Sequence, residues 1–238
     1  MNKHKIIQKL IFGLLIFVLG NIIVQASHGA STEPLSVDDP WEKFNRKMFA
    51  FNENLDHHIL KPVAVRYRTY TPKPVQGLIN NFFNNLGDIR NFANALLQLK
   101  LKDASVSLTR FVINSTIGQL GFVDVASPIG LEKHYEDFGL TLAHWHIPSG
   151  PYLVLPIFGS GTVRSACGLV PDHYTYPPNY SRQFSVRAGV TGADIVQKRA
   201  QLLNSEQLVM GNRYSFIRDA WLQQRYFMIT GKQQPDDF

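Results

Sequence analysis

Residues 39–56, DPWEKFNRKMFAFNENLD, decide the fold class. Trp41, Phe44, Met48, Phe51 and Leu55 recur at spacings of three and four, which puts all five on one stripe of an α-helix. Glu42, Asn45, Arg46, Asn52 and Glu53 take the flanks and the far side. Asp39 suits a helix cap, Pro40 the first helical position and Glu42 the third residue after the cap, so the stretch also carries a start signal. The expected role of such an apolar stripe is core packing.

Helical periods continue downstream. Val75, Leu78, Phe82 and Leu86 make one face, Ile89, Phe92, Leu96 and Leu99 a second, and Val106, Leu108, Phe111 and Val112 a third. Further helices are predicted over Phe138–His146 and Phe184–Leu203, and a last one carries Tyr214, Ile217, Trp221 and Met228. Tyr152-Leu153-Val154-Leu155, between Gly150-Pro151 and Pro156, is the clearest extended stretch, and Gly159-Ser160-Gly161 reads as a loop. A single, mainly α domain over 39–230 with a small extended element follows, ending in a short polar tail at 231–238.

Upstream, Met1–Lys9 is a basic leader, Leu10–Gly20 an uncharged apolar run, and Val24-Gln25-Ala26 a small-residue cleavage signal, so residues 1–26 read as an export peptide. The apolar run is shorter than the roughly 20 residues that a spanning helix needs. Residues 27–38 are small and polar and form a tether. Lys3, Lys5 and Lys9 stand in a leader without acids, so half of the formal charge of +6 belongs to it. The surplus left over the rest of the chain is too small for a long phosphate-binding stripe, and no nucleic-acid partner is expected.

One cysteine, Cys167, excludes an internal disulfide and any multi-cysteine metal site, and its expected state is a small buried thiol. The chain has no Gly-x-Ser-x-Gly elbow, P-loop, His-Glu-x-x-His, dinucleotide fingerprint or Cys-x-x-Cys, so neither a cofactor nor a metal is expected and no catalytic residue is assigned. His144 and His146 stand at alternate positions, which meet one metal only on an extended backbone. Ser160 with His144 or His173 and Asp172 makes a triad in composition alone; such sites are recognised by geometry.

More informative is Lys61–Lys73, KPVAVRYRTYTPK, where four cations and two tyrosines lie among two prolines. Lys61, Arg66, Arg68 and Lys73 with Tyr67 and Tyr70 suit an anionic lipid headgroup held against an apolar surface. A solvated basic turn is the competing reading of the same segment.

Together these blocks carry a resemblance. DPWEKFNRKMFAFNENLD (39–56), KPVAVRYR (61–68), NFFNNLGDIRNFANALLQ (81–98), RFVINSTIGQLGFVDVA (110–126), EDFGLTLAHW (136–145) and GPYLVLP (150–156) look like the MlaA/VacJ family, in the family's order, with a weaker continuation through RAQLLNSE (199–206). The resemblance implies a ring-like helical domain embedded in one membrane leaflet, on the periplasmic side of the outer membrane. It implies removal of misplaced phospholipid from the outer leaflet through a channel-like passage. Trimeric porins and a periplasmic lipid carrier are the implied partners. Phe44, Asn45, Phe51, Asn52, Arg110, Asn114, Gly150, Pro151 and Tyr152 stand at its motif positions.

Family members commonly carry a lipobox cysteine. None stands near residues 24–27 here, and no lipid anchor is expected. Two other readings stay open at this point, a lipid esterase and an adaptor that binds porins without moving lipid.

Overall fold

Helix α1, Glu42–Leu55, opens where the spacing predicts it, but with a different cap. The Asp39 backbone carbonyl accepts from the Glu42 N–H at 3.0 Å. The Asp39 side chain turns away and accepts from the Asn45 amide and the Tyr214 hydroxyl instead. The computed structural model describes residues 39–209 and 211–233, so the leader at 1–26, the tether at 27–38 and most of the tail lie outside the described residues.

A π-helical turn, Asp56–Leu60, carries α1 directly into α2, Lys61–Tyr70. Pro62 in the first turn of α2 has no N–H to give, and the wider turn before it accommodates that gap. The basic segment is therefore largely helical. It ends at Thr71, whose extended backbone (ψ 121°) is what a residue before proline adopts.

The two short faces predicted over 75–86 and 89–99 lie on one continuous helix, α3, Lys73–Leu97. Leu99, with φ 58°, turns the chain into α4, Leu101–Thr116. α3 and α4 run antiparallel, as the pairs Asn85–Ser115 and Asp88–Arg110 show. After α4 the chain doubles back through Gln119, Leu120 and Gly121, all with positive φ. A Cβ on Gly118 would stand 2.2 Å from the Val123 carbonyl oxygen, so this return admits only glycine there.

α5 covers Phe138–His144. β1, Tyr152–Leu155, pairs antiparallel with β2, Gly159–Thr162, in the register Tyr152↔Thr162 and Leu155↔Gly159. Gly159–Gly161 is thus part of a strand and not a loop, because the backbone groups of β1 need a partner along that edge.

Thr162 then caps α6, Val163–Tyr174, by accepting from the Ser165 N–H. Gly168 and Pro171 inside it weaken the helical signal, which is why the periodicity does not predict it. Gly168 earns its place by proximity, since a Cβ there would lie 2.7 Å from the Gly139 nitrogen of α5. α7, Phe184–Leu202, and α8, Arg213–Thr230, complete the described elements.

The burial pattern is inverted. Among the described residues, fourteen buried polar or charged side chains stand against eleven buried apolar ones, five of which are alanines. α3 buries Asn85, Asp88, Asn91 and Asn94, while Val75, Leu78, Leu96 and Leu97 of the same helix are exposed. The α1 stripe behaves likewise: Trp41, Phe44 and Phe51 are exposed and Asn45 is fully buried. This corrects the expectation that the stripe packs a core; Met48 alone of its members packs against a buried apolar cluster, that of Tyr152, Val154 and Tyr214.

Candidate functional site

The polar interior is built on α3. Asn85, Asp88, Asn91, Asn94 and Gln98 follow one another at helical spacing, and all are buried. Each is engaged from another element. Asn85 donates to Ser115 of α4 at 2.9 Å, Asn91 accepts from the Glu136 N–H at 3.1 Å, Asn94 donates to Asp172 of α6 at 3.0 Å, and Gln98 donates to Glu136 at 2.7 Å. Amide side chains suit this task because each offers a donor and an acceptor without charge.

At one end Arg110 of α4 is almost fully buried and faces Asp88 (3.4 Å) and Asp124 (3.3 Å), with Ser127 at 3.0 Å and the Leu131 carbonyl as further acceptors. Lys133 reaches Asp88 at 3.4 Å and the Asn84 carbonyl at 2.5 Å. Burial pulls the Lys133 ammonium down to about 8, although Asp88 opposes the shift. Asn114 closes the return loop by donating to Asp124 and accepting from the N–H groups of Val125 and Ala126.

Burial by itself raises the Asp124 carboxyl, but hydrogen bonds from Ser127 and Asn114 and the charge of Arg110 outweigh it and hold the group at about 2. An unfolded aspartate binds its proton near pH 4. Between about pH 4 and 2 the unfolded chain therefore holds the extra proton, and this carboxylate's share of stability is complete above that window and lost as pH falls through it. Chemical denaturation at pH 6 and pH 3 should show a smaller acid loss for Asp124→Asn than for the unaltered chain. An equal loss in both would mean that another carboxylate controls the acid limb.

At the other end Asp137 holds Arg225 of α8 through two 2.5 Å bonds and caps α5 at Leu140 N–H. Burial opposes ionisation of Asp137, and Arg225 overrides it, so the carboxyl lies below its usual range. Arg164 donates to the Ile147 carbonyl at 2.7 Å and is pushed down to about 10 by burial and by Arg225. Burial raises the Asp172 carboxyl despite the Phe138 N–H, at 3.1 Å from both oxygens.

The predicted headgroup residues lie elsewhere, on and just beyond α2. Lys61 is paired with Glu206 at 2.7 Å, which also meets Arg199; Arg199 in turn grips Asp56 at 2.6 and 2.8 Å and ties the π turn to α7. Arg68 donates to Asn204 at 2.7 Å, and Arg66 and Lys73 make no ion pair among the described residues. Arg66, Tyr67 and Tyr70 line an open, mostly apolar cavity of about 480 Å³ with Val63, Ile79 of α3 and Val196 of α7. The Tyr67 hydroxyl is shielded there without a partner, and burial raises it.

The motif positions of α1 have a clear geometry. Asn45 donates to the Tyr152 carbonyl at 2.9 Å and accepts from the Val154 N–H at 2.8 Å. Asn52, two turns on, donates to the Leu155 carbonyl at 2.9 Å and accepts from the Ile157 N–H at 2.7 Å. Two asparagines thus serve as a second strand partner for β1. Phe44 and Phe51 are half exposed beside them, and Gly150-Pro151 leads into the strand at Tyr152.

Ser160 accepts from the Tyr152 hydroxyl, Asp172 from Asn94 and the Phe138 N–H, and His173 meets Asn179, so no hydrogen bond joins the triad candidates. Among the described residues no three His, Cys, Asp or Glu side chains gather as metal ligands. Cys167 is half-buried in α6, and burial pushes its thiol up. Sequence spacing singled out neither Asp88, Asp124, Lys133 nor Arg225. The repeated Asn and Asp of α3 were a legible signal; the partners from distant segments were not.

The MlaA lipoprotein family profile matches residues 37–228. The chain is 34% identical over 219 residues to the intermembrane phospholipid transport system lipoprotein MlaA of Escherichia coli, covering 90% of this chain and 87% of that one. An uncharacterized protein of Rickettsia typhi is 38% identical over 208 residues, covering 86% and 82%. A solved chain from work on the structural basis for maintenance of bacterial outer membrane lipid asymmetry shares 37% identity and a TM-score of 0.71, over 81% of this chain and all of that one. With its mainly helical fold and its small two-stranded sheet in common with that structure, the chain belongs to the MlaA lipoprotein family.

Proposed function

We propose that this protein moves phospholipid out of the outer leaflet of the outer membrane along its polar interior and passes it to a periplasmic carrier, seated in the membrane beside a trimeric porin. The observation that carries the reading is the inverted burial: apolar side chains face outward while amides and charges line the inside. Helices satisfy their own backbone groups, so an apolar outer face can rest in one leaflet without spanning it. Among the described residues no helix is long and apolar enough to cross a membrane. A hydrated polar path lowers the desolvation barrier for a headgroup, and no covalent chemistry is needed. The E. coli relative's role in intermembrane phospholipid transport supports the same reading.

Leu99 and Leu101 at the α3–α4 turn, 81% and 65% exposed, are the test of seating. Each buried leucine contributes about 1.5–3 kcal/mol of transfer energy. Full-length protein should fractionate with the outer membrane and release phospholipid on detergent extraction. Leu99→Glu with Leu101→Glu should lower the membrane-bound fraction by about tenfold or more. A protein recovered soluble in the periplasm and free of lipid overturns the proposal.

A further inference from the structure

The cavity walled by α2, α3 and α7 is closed at one end and open at the other. At the closed end Ala64 of α2 packs with Ala200 and Leu203 of α7, and Tyr67 packs against that cluster. Val63, Arg66, Tyr67 and Tyr70 then follow at helical spacing and turn one face of α2 to the cavity. The residues that α7 puts there are small, Gly192, Ala193 and Val196, and about 480 Å³ is left between the helices. Small-molecule sites run from about 300 to 1,000 Å³.

Gly192 is the informative residue. A glycine inside a helix weakens it, and a neighbour that comes too close for a side chain is the usual reason to keep one, as Gly168 shows against Gly139. At Gly192 an added Cβ would meet nothing within 4 Å. No packing partner accounts for the glycine; what it keeps is room in the cavity wall.

The wall is almost entirely apolar, yet Arg66 belongs to it and is itself exposed. Both hold when the methylene stem lies along the wall and the guanidinium stands at the mouth. That guanidinium has no ion pair among the described residues, and no acid lines the cavity. Asp56 and Glu206, the acids bound to the start of α2 and its π turn, are committed to Arg199 and Lys61. Asp194, next to Ala193 in the chain, is outside the wall and holds Lys198 at 2.7 Å. An apolar slot with one free cation at its mouth complements a long apolar chain that ends in an anion.

We propose that this cavity seats one acyl chain of a phospholipid, with the lipid phosphate against the Arg66 guanidinium, which grips phosphate through charge-assisted, bidentate bonds. The proposal rests on the phospholipid-transport reading for its occupant. It adds a chain site that shares no residue with the buried polar stripe of α3.

The full chain in dodecyl maltoside, a detergent without phosphate, is photolabelled with phosphatidylglycerol carrying a diazirine in one acyl chain, and separately with the corresponding diacylglycerol. Mass spectrometry of the peptides locates the label, which phosphatidylglycerol should leave on residues 63–70 and 192–196. Gly192→Leu fills the room without a clash and should cut that labelling about tenfold, since lost contact with two methylenes is already worth as much. Its melting temperature should not fall, because leucine suits a helix better than glycine does. Gly189→Leu, one turn earlier, also faces open space but lines no cavity, and should leave the labelling as it was. Arg66→Gln should lower phosphatidylglycerol labelling about threefold or more and leave diacylglycerol labelling unchanged, and Arg66→Lys should keep part of the difference.

Unchanged labelling in Gly192→Leu overturns the site, since the chains then lie over the outer surface at large. Equal loss of both probes in Arg66→Gln overturns the phosphate contact. Label on α3 and α4 that spares these two peptides overturns the chain site and leaves the passage reading standing, whereas no label anywhere removes both. Displacement of the probe by palmitate at lower concentration than by palmitoyl lysophosphatidylglycerol overturns the phospholipid as occupant.

Discussion

Arg110→Met should destabilise the protein by about 3–5 kcal/mol, the cost of removing one partner from a buried charge cluster. The side chain is 3% exposed and faces Asp88, itself 1% exposed, as well as Asp124. Methionine fills much of the volume but leaves Asp88 with Lys133 as its one cation and the Asn91 amide as its other partner, and it also strands the Leu131 carbonyl and Ser127. Neutralising the stranded acid should recover part of the loss. Asp88→Asn added to Arg110→Met should therefore cost less than the two single changes summed. Urea denaturation of the four proteins measures the coupling. A single change worth under about 1 kcal/mol, or strict additivity, would show that the cluster is solvated and contributes little.

Asn45→Ala should have the second large effect. It deprives two buried backbone groups, the Tyr152 carbonyl and the Val154 N–H, of their partners at once. An unsatisfied buried group costs about 1–3 kcal/mol, so a loss of about 2–5 kcal/mol is expected. Asn52→Ala provides the contrast. It makes the same pair of bonds to Leu155 and Ile157, but Ile157 is 69% exposed and water can replace the amide there, so about 1 kcal/mol or less is expected. Similar losses for both variants would mean that α1 docks on β1 through its apolar neighbours and not through the amides.

Both experiments probe the polar interior, the feature that most separates this chain from a helical protein with an apolar core. In such a protein removing an interior amide or guanidinium is a rare event, because few are there. Here α3, α4 and the return loop are joined to a large extent through side-chain hydrogen bonds: Asn85 to Ser115, Arg110 to Ser127 and Asn114 to Asp124. Hydrogen bonds are directional, so this interior specifies its partners more narrowly than an apolar one does.

How far the fold was legible follows from the reach of each signal. α1, α4, α5, α7 and α8 declare themselves through local periodicity, and β1 through its bracketing prolines and glycine. α6 escaped because Gly168 and Pro171 argue against a helix locally, while its reason for being one, close approach to Gly139, lies in another segment. α3 reads as two short faces although Leu86 and Ile89, three residues apart, continue one period, and Asp88 between them belongs to the buried polar stripe of the same helix. The candidate site divides in the same way. Asn45, Asn52, Arg110 and Asn114 are recognisable as motif positions, but that two of them complete a strand edge, and that Arg110 faces Asp88 and Asp124, depends on contacts across long stretches of chain.

The sequence by itself determined that residues 39–56 form a helix with one aromatic stripe and one asparagine-bearing side, because side-chain direction along a helix follows from 3.6 residues per turn. It did not determine which side turns inward. Periodicity is symmetric between a helix that buries its apolar face and one that leaves it exposed. Only the tertiary structure broke that symmetry, by giving Asn45 and Asn52 the backbone of β1 to bind and leaving Trp41, Phe44 and Phe51 exposed. A polar group goes inside where it finds its partners, and those partners are fixed by folding in space rather than by neighbours in the chain.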